Sequence, residues 1–291
     1  MFKGIMPALI TPINEKGGIN SPVLKKLVCD LMGGGADGFY LCGATGEGLN
    51  LTVTQHKEMV RQTIEIVDGK VPCIVHVART VYSEMIELAR YAESVGATAL
   101  SAIPPIFFKY DEDEIYSYYE RLANSVKIPI VIYNSPAAAV AFSNNLLDRL
   151  FSIPNLKSIK WTSPNYATVM SAKARIPKAN FINGPDEMLL QGLAAGCDAG
   201  IGTTYNFLLP EIKEIYNDFM SGDMVKAREK QAHVAQLCEV FQGRSIIMTT
   251  KFIMSRLGYD VYYPIHPMRR LTAEEEQGVI TYLKSVGMDI R

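Results

Sequence analysis

Lys160 ends a short apolar run, Leu156-Lys157-Ser158-Ile159-Lys160, and Trp161-Thr162-Ser163-Pro164 follows at once. The preceding run of the same kind, Pro129-Ile130-Val131-Ile132-Tyr133-Asn134, carries a phenol at the matching place. An amine and a proton shuttle at the tips of consecutive strands suffice for imine chemistry on a keto acid. Alternation puts Leu156, Ser158 and Lys160 on one face, so an inward strand would aim the amine into an enclosed mouth. A free lysine is almost fully protonated at neutral pH. Burial against apolar neighbours, far from carboxylates, would free its lone pair for attack on a ketone. The plainer alternatives are a strand-end lysine that faces water and a tyrosine that only packs.

Other segments add polar groups. Gly43-Ala44-Thr45-Gly46-Glu47-Gly48 precedes a helical pattern; its glycines let backbone N–H groups converge on an anion, and Thr45 adds a hydroxyl. A tight turn that merely needs flexible residues would look the same. Asp186 and Glu187 in Asn183-Gly184-Pro185-Asp186-Glu187 are either helix-start acids or acceptors for a polyol. Gly200-Ile201-Gly202-Thr203-Thr204 is again small and hydroxylated. The four histidines, His56, His76, His233 and His266, lack metal-ligand spacing, and His76 reads as a satisfied core group. Neither a hydrolase elbow nor a nucleotide loop is present.

Positioning these groups falls to alternating elements. Strands are expected near Ile5–Ile10, Gly38–Gly43, Pro72–Val77, Thr98–Ile103, Pro129–Asn134, Leu156–Lys160, Asn180–Asn183 and Asp198–Gly202. Helical patterns follow each: Pro22–Met32, capped by Ser21, then Thr54–Val67, Ser83–Val95, Glu112–Val126, Asn144–Leu150, Tyr166–Ile176, Glu187–Ala195 and Leu209–Met220. Eight such units predict an α/β fold, a (β/α)8 TIM barrel over residues 1–220. An open doubly wound sheet would more often carry a glycine-rich turn after its first strand, and none stands there. Past Met220 three helices, Asp223–Phe241, Ser245–Leu257 and Thr272–Ser285, form an additional C-terminal extension, residues 221–291, expected to pack on the barrel. In such a barrel the chemistry lies at the C-terminal strand ends, where all the segments above fall.

Composition narrows the partners. With 29 Lys and Arg against 30 Asp and Glu, no net field recruits nucleic acid or an anionic membrane. Hydrophobic content of 48% suits an ordinary globular chain of 291 residues. Five scattered cysteines without a Cys-x-x-Cys pair suit reduced thiols, and no run approaches a membrane span or a signal core. The chain therefore reads as soluble and cytoplasmic.

Taken together, the barrel order, Gly43-Ala44-Thr45-Gly46-Glu47, Tyr133-Asn134 and Lys160 resemble the pyruvate-dependent class I aldolases, the family of N-acetylneuraminate lyase and dihydrodipicolinate synthase. The resemblance runs over essentially the whole chain. It implies a catalytic Schiff-base lysine at Lys160, a proton-moving tyrosine at Tyr133 and a carboxylate site at Ala44-Thr45, with no metal or organic cofactor beyond the covalent imine. Dihydrodipicolinate synthases usually carry threonine at Ala44, tyrosine at Phe107 and arginine at Ala138; this chain has none of them. Lys160-Trp161-Thr162-Ser163, Asn183-Gly184-Pro185-Asp186-Glu187 and Gly200–Asn206 are closer to the sugar-binding segments of N-acetylneuraminate lyase. That likeness makes Thr162, Gly184, Asp186, Glu187, Gly202 and Thr203 substrate-binding residues. It departs at Ala44, where the lyase has serine, and at Phe107, where it has tyrosine. The implied activity is cleavage or formation of a 2-keto-3-deoxy sugar acid, a small-molecule keto acid with pyruvate as one fragment. A dehydratase of the same family, or a keto-acid-binding descendant without catalysis, stands as the alternative. The family also implies a homotetramer or homodimer, with position 107 reaching a neighbour's site.

Overall fold

In the computed structural model, which describes residues 1–138 and 140–290, eight parallel strands alternate with helices. The strands are β1 (Gly4–Pro7), β2 (Phe39–Leu41), β3 (Cys73–His76), β4 (Ala99–Ala102), β5 (Ile130–Asn134), β6 (Leu156–Trp161), β7 (Asn180–Asn183) and β8 (Ala199–Gly202). Each pairs in parallel with its sequence neighbour from β2 to β8, and β1 returns to pair with β8, Gly4 opposite Ala199. The remaining seam, between β1 and β2, is closed by a bridge of Ala8 to Tyr40 and the Leu9 N–H donating to the Tyr40 carbonyl at 2.9 Å. The barrel expectation holds. Most strands are shorter than read from sequence, β1 stopping at Pro7 and β2 at Leu41, where the following residues turn away to build the rim; β7 has the expected bounds, and β6 runs one residue further, to Trp161.

Around the strands lie α1 (Ser21–Gly33), α2 (Val53–Val67), α3 (Tyr82–Ser94), α4 (Glu112–Ala123), α5 (Asn144–Ser152), α6 (Tyr166–Arg175), α7 (Leu189–Ala194) and α8 (Leu209–Ser221). Ser21 is not the cap of α1. It is the first helical residue, and Asn20 occupies the cap position without a side-chain bond. Two capping boxes, Thr52 with Gln55 and Asp111 with Glu114, start α2 and α4. The helix expected over Glu187–Ala195 is split: Asp186–Met188 form a 3₁₀ turn, and α7 begins only at Leu189.

Three further helices follow, α9 (Met224–Cys238), α10 (Ile246–Arg256) and α11 (Ala273–Ser285), the last opened by a Thr272–Glu275 capping box. A 3₁₀ turn at Glu239–Phe241 leads out of α9. Val234, Leu237, Met248, Phe252, Ile253, Val279 and Leu283 are buried in the same apolar cluster as the barrel helices. At roughly 1.5–3 kcal/mol for each fully buried large aliphatic side chain, that shared core holds the last helices against the barrel.

Candidate active site

One residue of slack in β6 sets the site. Ile130 pairs with Leu156 but Val131 pairs with Ser158, so β6 carries an extra residue there. Such a bulge shifts every later partner by one. Lys160, not Ile159, therefore stands opposite Tyr133. The inward parity is marked further down by Ser158, whose hydroxyl donates to Asn180 Oδ1 at 2.9 Å inside the barrel. Both Lys160 and Tyr133 are buried, each 6% exposed.

The Lys160 ammonium nitrogen lies 4.4 Å from the centre of the Tyr133 ring and 4.8 Å from that of Tyr40. A ring face attracts the amino end of a lysine through its quadrupole, so the two rings help to fix where this nitrogen sits. Tyr40 and His76 were not singled out as site residues by sequence, yet their rings pack edge-on around Tyr133, at 6.1 and 6.0 Å between centroids. Tyr40 donates to Ser101 Oγ at 3.0 Å, so its hydroxyl is committed to the barrel interior. The Ile103 N–H donates to His76 Nε2 at 3.3 Å, and burial pushes this imidazole down to about 3, so it sits neutral. His76 is thus the satisfied core group that its isolation suggested, although it borders the site. The Tyr133 hydroxyl has no hydrogen-bond partner among the described residues.

The Gly43–Gly48 turn lies across the mouth. Glu47 N–H donates to the Ala44 carbonyl at 3.0 Å, and Gly48 N–H to the Gly43 carbonyl at 3.0 Å. A Cβ at Gly48 would overlap the Cys42 carbonyl, so only glycine fits this close approach. Ala44 is exposed on this turn, whereas Thr45 is buried. The Thr45 hydroxyl meets that of Thr203 at 2.6 Å, joining the ends of β2 and β8.

Asp186 does not cap its own helix. Its Oδ2 accepts from the Thr204 N–H at 2.6 Å and from the Thr204 hydroxyl at 2.7 Å. Burial raises its carboxyl to about 6, with the Thr204 hydrogen bonds and the Lys160 charge pulling the other way. A carboxylate thus lies within electrostatic reach of Lys160, contrary to the expected distance from acids. A Cβ at Gly184 would overlap Thr162 Oγ1, and one at Gly202 would overlap Asp186 Oδ1, so both glycines keep the rim open.

A cavity of about 760 Å³ brings all ten predicted residues together: Lys160, Tyr133, Ala44, Thr45, Thr162, Gly184, Asp186, Glu187, Gly202 and Thr203. Its outer wall comes from the C-terminal helices, with Phe241, Ile246 and Ile247 the largest apolar contributors. No motif announces those three; they are ordinary apolar residues that the 3₁₀ turn after α9 and the start of α10 bring over the mouth. Among the described residues no cluster of three or more His, Cys, Asp or Glu is arranged to hold a metal ion.

Residues 1–286 match the Dihydrodipicolinate synthetase family. The chain belongs to that family. Among curated relatives it is 30% identical to the N-acetylneuraminate lyase of Lactiplantibacillus plantarum over 95% of both chains. It is 29% identical to the N-acetylneuraminate lyase of Rhizobium meliloti over 97% of this chain and 93% of that one. Among solved structures it superposes with a TM-score of 0.93 on the Clostridium difficile protein CdNal in complex with mannosamine, at 26% identity, covering 98% and 99% of the two chains. It superposes at 0.94 on the dihydrodipicolinate synthase of Aquifex aeolicus, at 26% identity, covering both chains fully. A third match, at 0.94 and 26% identity, is YagE of Escherichia coli K12, solved in complex with pyruvate, with 99% of each chain covered. Members of the Dihydrodipicolinate synthetase family that share this barrel are class I aldolases and lyases, and this chain is an enzyme of that class.

Proposed function

We propose that this Dihydrodipicolinate synthetase family member is a Schiff-base lyase of the N-acetylneuraminate lyase type, cleaving or forming a 2-keto-3-deoxy sugar acid with pyruvate as one fragment. The observation that carries the reading is the register of β5 and β6, which sets Lys160 beside Tyr133 at the floor of a cavity large enough for a sugar acid. The Lys160 amine adds to the C2 ketone, Tyr133 gives up its hydroxyl proton so that the oxygen leaves as water, and a protonated imine and the Tyr133 phenolate result. Tyr133, as phenolate, takes the proton of the C4 hydroxyl. The C3–C4 bonding pair then moves into the imine, releasing an aldehyde and leaving an enamine. Tyr133 returns its proton to C3, and water hydrolyses the imine to pyruvate and free Lys160.

Ala44 and Thr45 hold the keto-acid carboxylate in this reading. Their N–H groups donate to no protein acceptor among the described residues, and the Thr45 hydroxyl, poised on Thr203, completes the cradle. Thr162, Gly184, Asp186, Glu187, Gly202 and Thr203 receive the hydroxylated remainder. The covalent imine makes an added cofactor unnecessary. Five free cysteines fit a reducing, cytoplasmic setting. Phe107 and Phe108 are 91% and 67% exposed, and Phe107 is held at φ +80°, a posture costly for a bulky residue. Such an apolar tip is best covered by a second copy in a symmetric dimer or tetramer.

Borohydride reduction in the presence of pyruvate tests the chemistry. The wild type should gain the mass of a reduced pyruvate adduct, and Lys160→Ala should lose it with unchanged circular dichroism. An adduct that survives in Lys160→Ala would move the nucleophile to another lysine. Pyruvate release from a panel of keto acids reads as cleavage; keto-acid consumption without pyruvate reads as dehydration.

A further inference from the structure

Glu47 ends the turn that carries Ala44 and Thr45, yet it faces away from the cavity. Its side chain is wholly buried and ion-paired with Lys251 of α10, itself wholly buried. One loop adds a bond to each partner: Lys251 Nζ donates to the Tyr263 carbonyl at 2.9 Å, and the Ile265 N–H donates to Glu47 Oε2 at 3.3 Å. Glu47 holds φ +54°, a left-handed posture that side chains adopt at a cost. Its own N–H closes the turn on the Ala44 carbonyl, and the neighbouring Gly46 carbonyl accepts from Thr11 Oγ1 at 2.6 Å.

A buried ion pair is a poor way to gain stability. Desolvating both charges offsets most of their attraction, and apolar replacements of the same volume are often neutral or stabilising. What such a pair supplies well is a single geometry, because any shift leaves a charge unpaired in a dry interior. The pair joins two parts of the site. At one end is the turn with the free Ala44 and Thr45 N–H groups; at the other is α10, whose Ile246 and Ile247 line the outer cavity.

We infer that Glu47 and Lys251 are positioning residues that set the carboxylate-gripping turn against α10, so that losing the pair loosens keto-acid binding while leaving the chemistry at Lys160 intact. This rests on the proposed Schiff-base function. Removing both charges together, Glu47→Gln with Lys251→Met, avoids stranding one of them. Adduct formation with borohydride is followed against pyruvate concentration for wild type and variant, alongside the thermal midpoint. The half-saturating pyruvate should rise at least tenfold, with the saturating adduct rate within about twofold of wild type. Should the double variant fail to fold, Glu47→Asp retains the charge, draws the turn by one methylene and should raise half-saturation in the same sense. An unchanged half-saturation with a lowered thermal midpoint would show a purely structural pair and overturn the inference. Absence of any wild-type adduct overturns the proposed function instead, and the inference with it; a wild-type adduct with an insensitive variant overturns the inference alone.

Discussion

Replacing Asp186 by asparagine separates the cost of burying this carboxylate from its use. Burial raises the Asp186 carboxyl from 3.8 to about 6. Below pH 4 it is protonated in folded and unfolded chains alike and has no effect on stability. Between pH 4 and 6 the unfolded chain ionises while the folded one does not, so stability falls as pH rises. Above 6 both are ionised and the penalty is complete. A shift of about two units corresponds to ~3 kcal/mol. Asparagine keeps an oxygen to accept from the Thr204 N–H and hydroxyl, and it never ionises. Taking an unfolding entropy of ~2.1 cal/mol/K per residue over the whole chain, 3 kcal/mol is about 5 °C in thermal midpoint. Thermal unfolding of Asp186→Asn and wild type at pH 4, 6 and 8 should show the variant gaining about 5 °C on the wild type between pH 4 and pH 8. A difference between the two proteins that does not change with pH would refute the argument that Asp186 is held against its own ionisation.

Tyr133→Phe should still form the pyruvate adduct but turn over ~10²–10⁴-fold more slowly, the usual worth of general acid–base help. A near wild-type rate in a pyruvate-release assay would assign the proton to water or the substrate carboxylate. Light scattering at micromolar concentration should give a mass of two or four chains, and Phe107→Asp should shift it toward one chain. A wild-type mass of about 32 kDa would leave the Phe107 tip without a partner.

The parts of this site legible in the sequence were those that chemistry singles out. Lys160, Tyr133 and the Gly43–Gly48 turn stand at strand ends, and their residue types are unusual there, so alternation alone brought them to one rim. The β6 bulge was hidden because nothing in Leu156-Lys157-Ser158 distinguishes a strand with an extra residue from one without. Tyr40 and His76 carry no such signal, because a ring on a strand reads as core, and both are core as well as neighbours of Tyr133. The contributions of Phe241, Ile246 and Ile247 depend on how the 3₁₀ turn after α9 and the start of α10 pack over the barrel mouth, a tertiary fact without local pattern. Asp186 lines the cavity, where its place after β7 puts it, but its role as acceptor for Thr204 depends on the meeting of two loops.

The pairing of β1 with β8 also orders events during synthesis. Gly4 waits for Ala199, and the seam is pinned only when the Asn206 side chain accepts from the Ile10 N–H at 3.2 Å and donates to the Ala8 carbonyl at 2.8 Å. At ~5–20 residues per second, a ribosome needs on the order of 10–40 s to supply these partners. Throughout that interval the nascent chain carries Ile5 and Met6, fully buried in the finished protein, on a strand with one edge unpaired. Open apolar edges pair with whatever strand is near. Expression level, chaperone supply and any pause before Asn206 therefore govern how much of this protein reaches its barrel, independently of how stable the barrel is once closed.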